Sequence, residues 1–276
     1  MKKSFLLISL LAILAIVLVG CGQQNQSKTA DNTEQTEKTK IVVGATAKPH
    51  AEILEVVKPI LAKENVDLEI KVFTDYVQLN PALNDKQLDA NFFQHIPYLE
   101  DYNKNNGTNL AWTVKVHTEP MGVYSKKLST LDDLKDGANI GIPNDATNGG
   151  RALAVLEAAG VIKLKDGAGV TATDQDIAEN PKNVKITLLD AAMLPRSLDD
   201  LDAAVINSNY AIEANLNPVQ DAIFVEPKDS PFANVLAVRV EDKDKEAVQK
   251  LGKALQSPEV KKFLEDTYQG SCIPAF

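Results

Sequence analysis

Between Ile41 and Phe93 the apolar residues change period several times, and that alternation restricts the fold more than any other feature of the chain. Ile41 to Thr46 is a short β-branched run. From Ala51 to Lys63 the apolar positions Ile53, Val56, Val57 and Ile60 mark one face of a helix, with Pro59 as a point of weakness or a kink. Leu68, Ile70 and Val72 then alternate with Glu69 and Lys71, the pattern of a strand with one face toward a core. A helical stretch over Leu79 to Leu88 leads into another strand, Ala90 to Phe93. Strand, helix and strand at this spacing predict an α/β fold of mostly parallel sheets flanked by helices.

A weak internal echo extends the prediction. Leu88-Asp89-Ala90-Asn91-Phe92-Phe93-Gln94-His95 aligns with Leu201-Asp202-Ala203-Ala204-Val205-Ile206-Asn207-Ser208, each after a strand-plus-helix stretch and each turning polar at its end. Ligands in open α/β sheets bind at the carboxyl ends of strands, so two such units suggest two similar lobes facing one cleft. The other reading is that Leu-Asp-Ala is a common helix-to-strand junction. Trp112–Tyr124 and Ala222–Val240 are extended apolar segments broken by Pro120, Pro227 and Pro231. They suit two crossovers that act as a hinge. The expected division is lobe 1 over 41–124, lobe 2 over 125–226 and a return to lobe 1 over 227–276.

The N-terminus points to export. Lys2 and Lys3 precede an apolar run from Phe5 to Val19, too short for a spanning helix, and the run ends in Leu18-Val19-Gly20-Cys21. That ending resembles a bacterial lipobox, with residues 1–20 as signal peptide and Cys21 as the lipidated residue; an ordinary signal or an uncleaved anchor is the alternative. Residues 21–40 are polar with balanced charge, a composition that cannot bury enough apolar surface to order itself, and read as a tether. The formal net charge is −9 and no basic patch suggests nucleic acid. With Cys21 lipidated, Cys272 is a lone thiol, best read as a small buried hydrophobe.

The sharpest local signal is Pro143-Asn144-Asp145-Ala146-Thr147-Asn148-Gly149-Gly150-Arg151, which follows a strand over Asn139–Ile142 and opens a helix running to Gly160. Asn148 can cap that helix, and two glycines allow close approach of a ligand to the backbone. Helix N–H groups and the Arg151 guanidinium together favour a carboxylate. A structural pair of Arg151 with Asp145 or another acid is the competing reading. Tyr76, Phe92, Phe93 and His95 offer aromatic walls and one polar tip, although strand alternation sends Phe92 and Phe93 to opposite faces and makes core placement the simpler reading. His95 is either an internally bonded residue or a ligand contact; Asn207 and Asn209 are either turn residues or amide contacts.

The lipobox, Thr74-Asp75-Tyr76-Val77, the Asp89–His95 stretch, the Asn144–Arg151 loop, Leu194-Pro195-Arg196-Ser197-Leu198-Asp199-Asp200, Ala204–Asn207 and Ser230-Pro231-Phe232-Ala233-Asn234 occur in one order. Together they resemble the methionine-binding lipoproteins of the NlpA/MetQ type, substrate receptors of methionine ABC importers. The resemblance covers Ile41 to Phe276. It implies a two-lobed periplasmic-binding-protein fold of type II closing over an amino acid, L-methionine or its D enantiomer. By the same resemblance Arg151, assisted by Asn148, would meet the ligand carboxylate, and Asn207 and Asn234 would hold its amino and carboxylate groups. Tyr76, Phe92, Phe93 and His95 would wall the thioether. The implied partners are a membrane permease and its ATPase, the implied location is the extracytoplasmic membrane face, and the protein is expected to act as a monomer without a cofactor.

Other classes fit less well. No Gly-x-Ser-x-Gly or His-Glu-x-x-His motif is present, so no enzyme is expected. The three histidines, His50, His95 and His117, are scattered, so no metal site is expected. A short methionine-containing peptide such as Gly-Met, or another small amino acid, would suit the same fold; an adhesin without a tight small ligand is the more distant reading.

Overall fold

The computed structural model describes residues 38–227 and 231–276. The expected signal peptide, Cys21 and nearly all of the expected tether lie outside the described residues. β1 runs Thr39–Thr46, starting two residues before the expected boundary, and Lys40 pairs with Glu69 at 2.5 Å. No helix among the described residues is long and apolar enough to cross a membrane.

The first half of the chain builds one lobe. After β1, α1 (Glu52–Lys63) buries Ile53, Leu54, Val57 and Leu61 and continues through Pro59, which faces solvent. Then follow β2 (Val66–Phe73), α2 (Leu79–Asn84), β3 (Ala90–His95), α3 (Ile96–Asn106) and β4 (Leu110–Thr118). β1 pairs in parallel with β2 and β3, the arrangement that the alternating periods require. The chain crosses to a second sheet at residues 119–121. Three residues expected in lobe 1 therefore belong to the other sheet, because β5 (Gly122–Tyr124) pairs with strands that follow it.

The second lobe contains β6 (Asn139–Pro143), α4 (Ala146–Ala158), a small ribbon of β7 (Lys163–Leu164) and β8 (Ile177–Glu179), and β9 (Lys185–Leu189). A 3-10 helix over Ala191–Asp199, β10 (Ala203–Ile206), α5 (Ser208–Glu213) and β11 (Phe224–Val225) complete it. The chain then returns to the first sheet through β12 (Ala233–Arg239), α6 (Glu246–Leu255), α7 (Pro258–Tyr268) and β13 (Ile273–Pro274). The larger sheet has the order β13-β4-β12-β3-β1-β2 and the smaller one β11-β5-β10-β6-β9. Each is mixed: the βαβ strands are parallel, and the crossover strands run antiparallel to them. Cys272 is buried in the apolar core of the larger lobe, and burial pushes its thiol up.

The sequence echo is a structural repeat. β2-β1-β3 and β9-β6-β10 occupy matching positions, and Asp89 and Asp202 do the same work at the two junctions. The Asp89 carboxylate accepts the Val42 N–H at 2.8 Å, and the Asp202 carboxylate accepts the Asn139 N–H at 2.7 Å. The leucine before each aspartate seals the lobe over a glycine. A Cβ on Gly44 would lie 2.5 Å from Leu88 Cδ1 and 2.9 Å from Leu79 Cδ2; a Cβ on Gly141 would lie 2.5 Å from Leu201 Cδ1 and 3.0 Å from Leu194 Cδ2. Gly44→Ala and Gly141→Ala are therefore expected to destabilise by similar amounts, about 1–3 kcal/mol each, as overpacked cores do. Urea unfolding of the two variants checks this.

Candidate ligand-binding site

The carboxyl ends of the central strands and the two crossovers line a narrow cleft. Tyr76, Phe93, His95 and Tyr98 line it from the larger lobe, and Asn148, Arg151, Asn207 and Asn209 from the smaller one. Glu119 in the first crossover and Asn234 on β12 close the base. Of the expected site residues, only Phe92 is absent from this wall. Alternation along β3 turns Phe93 to the cleft and buries Phe92 completely in the core, edge-on to His50 at 4.8 Å and to His117 at 5.5 Å. Glu119 and Tyr98 join the site without having been selected from sequence, and Asn209, left open there between turn residue and amide contact, lines the cleft as well. An acid beside Pro120 in an apolar crossover was the available signal for Glu119.

One chain of hydrogen bonds fixes the polarity of the smaller lobe's wall. Asp145, not Asn148, caps α4: its carboxylate accepts the Asn148 N–H at 2.9 Å and the Asn148 side-chain Nδ2 at 2.9 and 3.0 Å. The carboxylate attracted by this helix terminus is thus the chain's own. Burial raises the Asp145 pKa, although the bonds from Asn148 oppose that effect. With Asn148 Nδ2 committed, Asn148 Oδ1 must accept, and it takes Asn207 Nδ2 at 2.8 Å and His95 Nε2 at 3.1 Å. His95 Nδ1 accepts the Tyr98 N–H at the start of α3. Its proton therefore sits on Nε2, and burial, aided by nearby Arg151, lowers the imidazole to about 3 and keeps it neutral. Among the described residues this network leaves Asn207 Oδ1 buried without a partner. Asn209 is the counterpart: its Oδ1 accepts Tyr76 Oη at 2.5 Å, and its Nδ2 is the buried group without a partner.

The two glycines before Arg151 serve packing rather than ligand approach. A Cβ on Gly150 would sit 2.4 Å from the Val170 carbonyl oxygen, and one on Gly149 would sit 2.9 Å from that of Pro143. Arg151 itself is almost fully buried and paired with an acid other than Asp145. Its Nε lies 3.0 Å and its Nη2 2.5 Å from the Glu226 carboxylate, and Nη2 also donates to the Glu119 carbonyl at 2.7 Å. Nη1 makes no hydrogen bond among the described residues, so the guanidinium can offer a ligand this one nitrogen and not a bidentate edge.

His50 and His117, scattered in sequence, meet Glu119 at the base of the cleft. His117 Nε2 lies 2.7 Å and His50 Nε2 3.3 Å from the same Glu119 oxygen, Oε1. His50 Nε2 also lies 3.2 Å from Asn234 Oδ1, and its Nδ1 lies 2.8 Å from the Thr46 hydroxyl. Since Nε2 faces two acceptors, it carries the proton, and Asn234 Nδ2 is left as a donor. Burial lowers His50 to about 4 despite the nearby Glu119. Burial works the other way on Glu119, but His50, His117 and Arg151 outweigh it and hold the carboxyl below its usual range. These three buried residues could surround a metal ion. The same atoms are already joined to one another by hydrogen bonds.

The aromatic side of the cleft is a stack. Tyr76 packs on Phe93 at 5.7 Å, Tyr98 at 5.9 Å and Tyr210 at 4.8 Å, so its ring spans both lobes.

Two lobes of like topology, joined by two crossovers around a partly polar cleft, define the periplasmic-binding-protein class of solute receptors. The chain belongs to the NlpA lipoprotein family, whose pattern matches residues 41–276. It is 43% identical over 263 residues to the D-methionine-binding lipoprotein MetQ of Salmonella typhimurium, covering 94% of this chain and 93% of the relative. It is 42% identical over 279 residues to the methionine-binding lipoprotein MetQ of Bacillus subtilis, covering 99% of both. Among solved structures, a nutrient-binding protein from Burkholderia cenocepacia bound to methionine superposes with a TM-score of 0.83 at 50% identity, covering 86% of this chain and all of that one.

Proposed function

We propose that this chain is the extracytoplasmic receptor of an ABC importer, tethered by lipid on Cys21, and that it binds methionine by closing its two lobes on the cleft between them. The observation that carries the reading is the sorting of the groups the fold leaves open in the cleft. Asn207 Oδ1 and Glu119 Oε2, the oxygen that neither imidazole engages, are acceptors suited to an ammonium. Asn209 Nδ2, Asn234 Nδ2 and Arg151 Nη1 are donors suited to a carboxylate. A zwitterion must have both charges met where water is excluded, and these two sets meet them. The rings of Tyr76, Phe93 and Tyr98 suit a thioether. Methionine is what the Burkholderia relative holds and what the Bacillus relative is named for, and the Salmonella relative is named for D-methionine. In this reading the closed form is what the permease receives.

The test is calorimetry on the processed protein, stripped of bound ligand by unfolding and refolding. L- and D-methionine, Gly-Met and leucine are titrated in turn. Methionine is expected to bind, with leucine roughly 10-fold weaker or more. Glu119→Gln is expected to weaken methionine by roughly 10- to 100-fold, the worth of a charged hydrogen bond. Binding of Gly-Met alone moves the substrate to peptides, and failure of every ligand on folded protein overturns the reading.

A further inference from the structure

The Arg151 guanidinium is held on every side but one, and each contact that holds it comes from a crossover. Its Nε–Nη2 edge lies on the Glu226 carboxylate, its Nη2 also meets the Glu119 carbonyl, and its face lies over the Phe232 ring at 4.3 Å. Glu119 belongs to the first crossover; Glu226 and Phe232 belong to the second. Glu226 does more than balance charge. Its carboxylate accepts the Met121 N–H at 3.1 Å, and its own N–H donates to the Met121 carbonyl at 2.8 Å. One buried side chain therefore ties the two crossovers to each other and both to α4. Glu226 does not line the cleft.

A guanidinium gripped along one edge cannot rotate about its long stem, so the direction of the remaining nitrogen is set by that grip. We propose that Glu226 is a positioning residue for ligand recognition: it aims Arg151 Nη1 into the cleft, and through Met121 it makes that aim depend on the two crossovers keeping their register. This rests on the reading of Arg151 as a donor to the ligand carboxylate. It separates two properties usually merged in a buried ion pair, charge and direction. A counter-ion role would need only the negative charge of Glu226. A positioning role needs its full reach.

The test compares methionine with methioninamide, which lacks the carboxylate charge, in wild-type protein, Glu226→Gln and Glu226→Asp. Asp keeps the charge but withdraws it by one methylene; Gln keeps the reach but removes the charge-assisted grip. Both variants are expected to lose at least about five-fold in the preference for methionine over its amide, within the worth of a hydrogen bond to a charged group. Methioninamide affinity should stay within about two-fold, which a general loosening of the fold would not allow. If Asp keeps the wild-type preference, or Gln increases it, Glu226 acts as charge alone and the proposal is overturned. If either variant fails to fold, Phe232→Leu, which frees the opposite face of the guanidinium, should lower the same preference, and an unchanged preference there also overturns the proposal. Wild-type protein that does not bind methionine would instead overturn the functional reading beneath it.

Discussion

Arg151→Ala is expected to lower folding stability by about 3–5 kcal/mol and to abolish measurable methionine binding in the same protein. Removing one partner of a buried ion pair costs this much because the other charge stays in a medium that solvates it poorly. Here the remaining carboxylate, Glu226, sits between the two crossovers, and both lose their link to α4. Urea unfolding followed by circular dichroism reads the stability, and calorimetry on the folded fraction reads the binding. The two effects can be separated. Replacing the pair together, Arg151→Met with Glu226→Leu, should recover most of the stability because no buried charge is stranded. It should recover none of the binding, since the donor to the ligand carboxylate is gone. Restored binding in the double variant would show that Arg151 supports the fold and not the ligand.

The second large effect is on acid stability. His50 and His95 are buried and neutral, with pKa lowered to about 4 and about 3 from an ordinary 6.5. Between those values and 6.5 the unfolded chain binds protons that the folded chain refuses, so stability is full above pH 6.5 and is lost as pH falls toward 4 and below. From pH 7 to pH 5 the two histidines together are expected to remove about 3–4 kcal/mol. For a body of this size that corresponds to a melting temperature lower by roughly 10 °C. Glu119, held below its usual range, adds to the loss only at still lower pH, while Asp145 and Glu213, raised by burial, act in the opposite sense and above their ordinary carboxyl values, where they offset part of the histidine loss. Melting curves at pH 7, 6 and 5 measure the slope. His95→Gln should remove about half of it, and an unchanged slope would mean that His95 is not buried neutral.

What could be read without coordinates was whatever the chain encodes locally. The period changes over Ile41–Phe93 specify strands and helices because side chains repeat every two residues in one and every 3.6 in the other. Leu88-Asp89 and Leu201-Asp202 signal a repeat because the same leucine-over-glycine contact and the same aspartate-to-backbone bond are needed at each junction. Asn207 stands out because a polar residue ends an apolar strand, and Asn148 and Arg151 because they flank a glycine pair where a helix opens; Asn234 was implied by the family resemblance alone. The polarity of the cleft was not legible. Asn148 lost its expected capping role to Asp145 through a choice between two acceptors three residues apart, and that choice then dictated the orientation of every amide beyond it. His50, His117 and Glu119 are 2 to 69 residues apart and meet only because the turn after β1, the end of β4 and the first crossover converge. Glu226 finds Arg151 across 75 residues. Sequence by itself determined the elements, the repeat and the class of the fold, since those follow from local periodicity and steric fit. Only the tertiary structure decided which buried charges face one another and which hydrogen-bonding groups are left for a ligand, because electrostatics and desolvation act through space and take no account of separation along the chain.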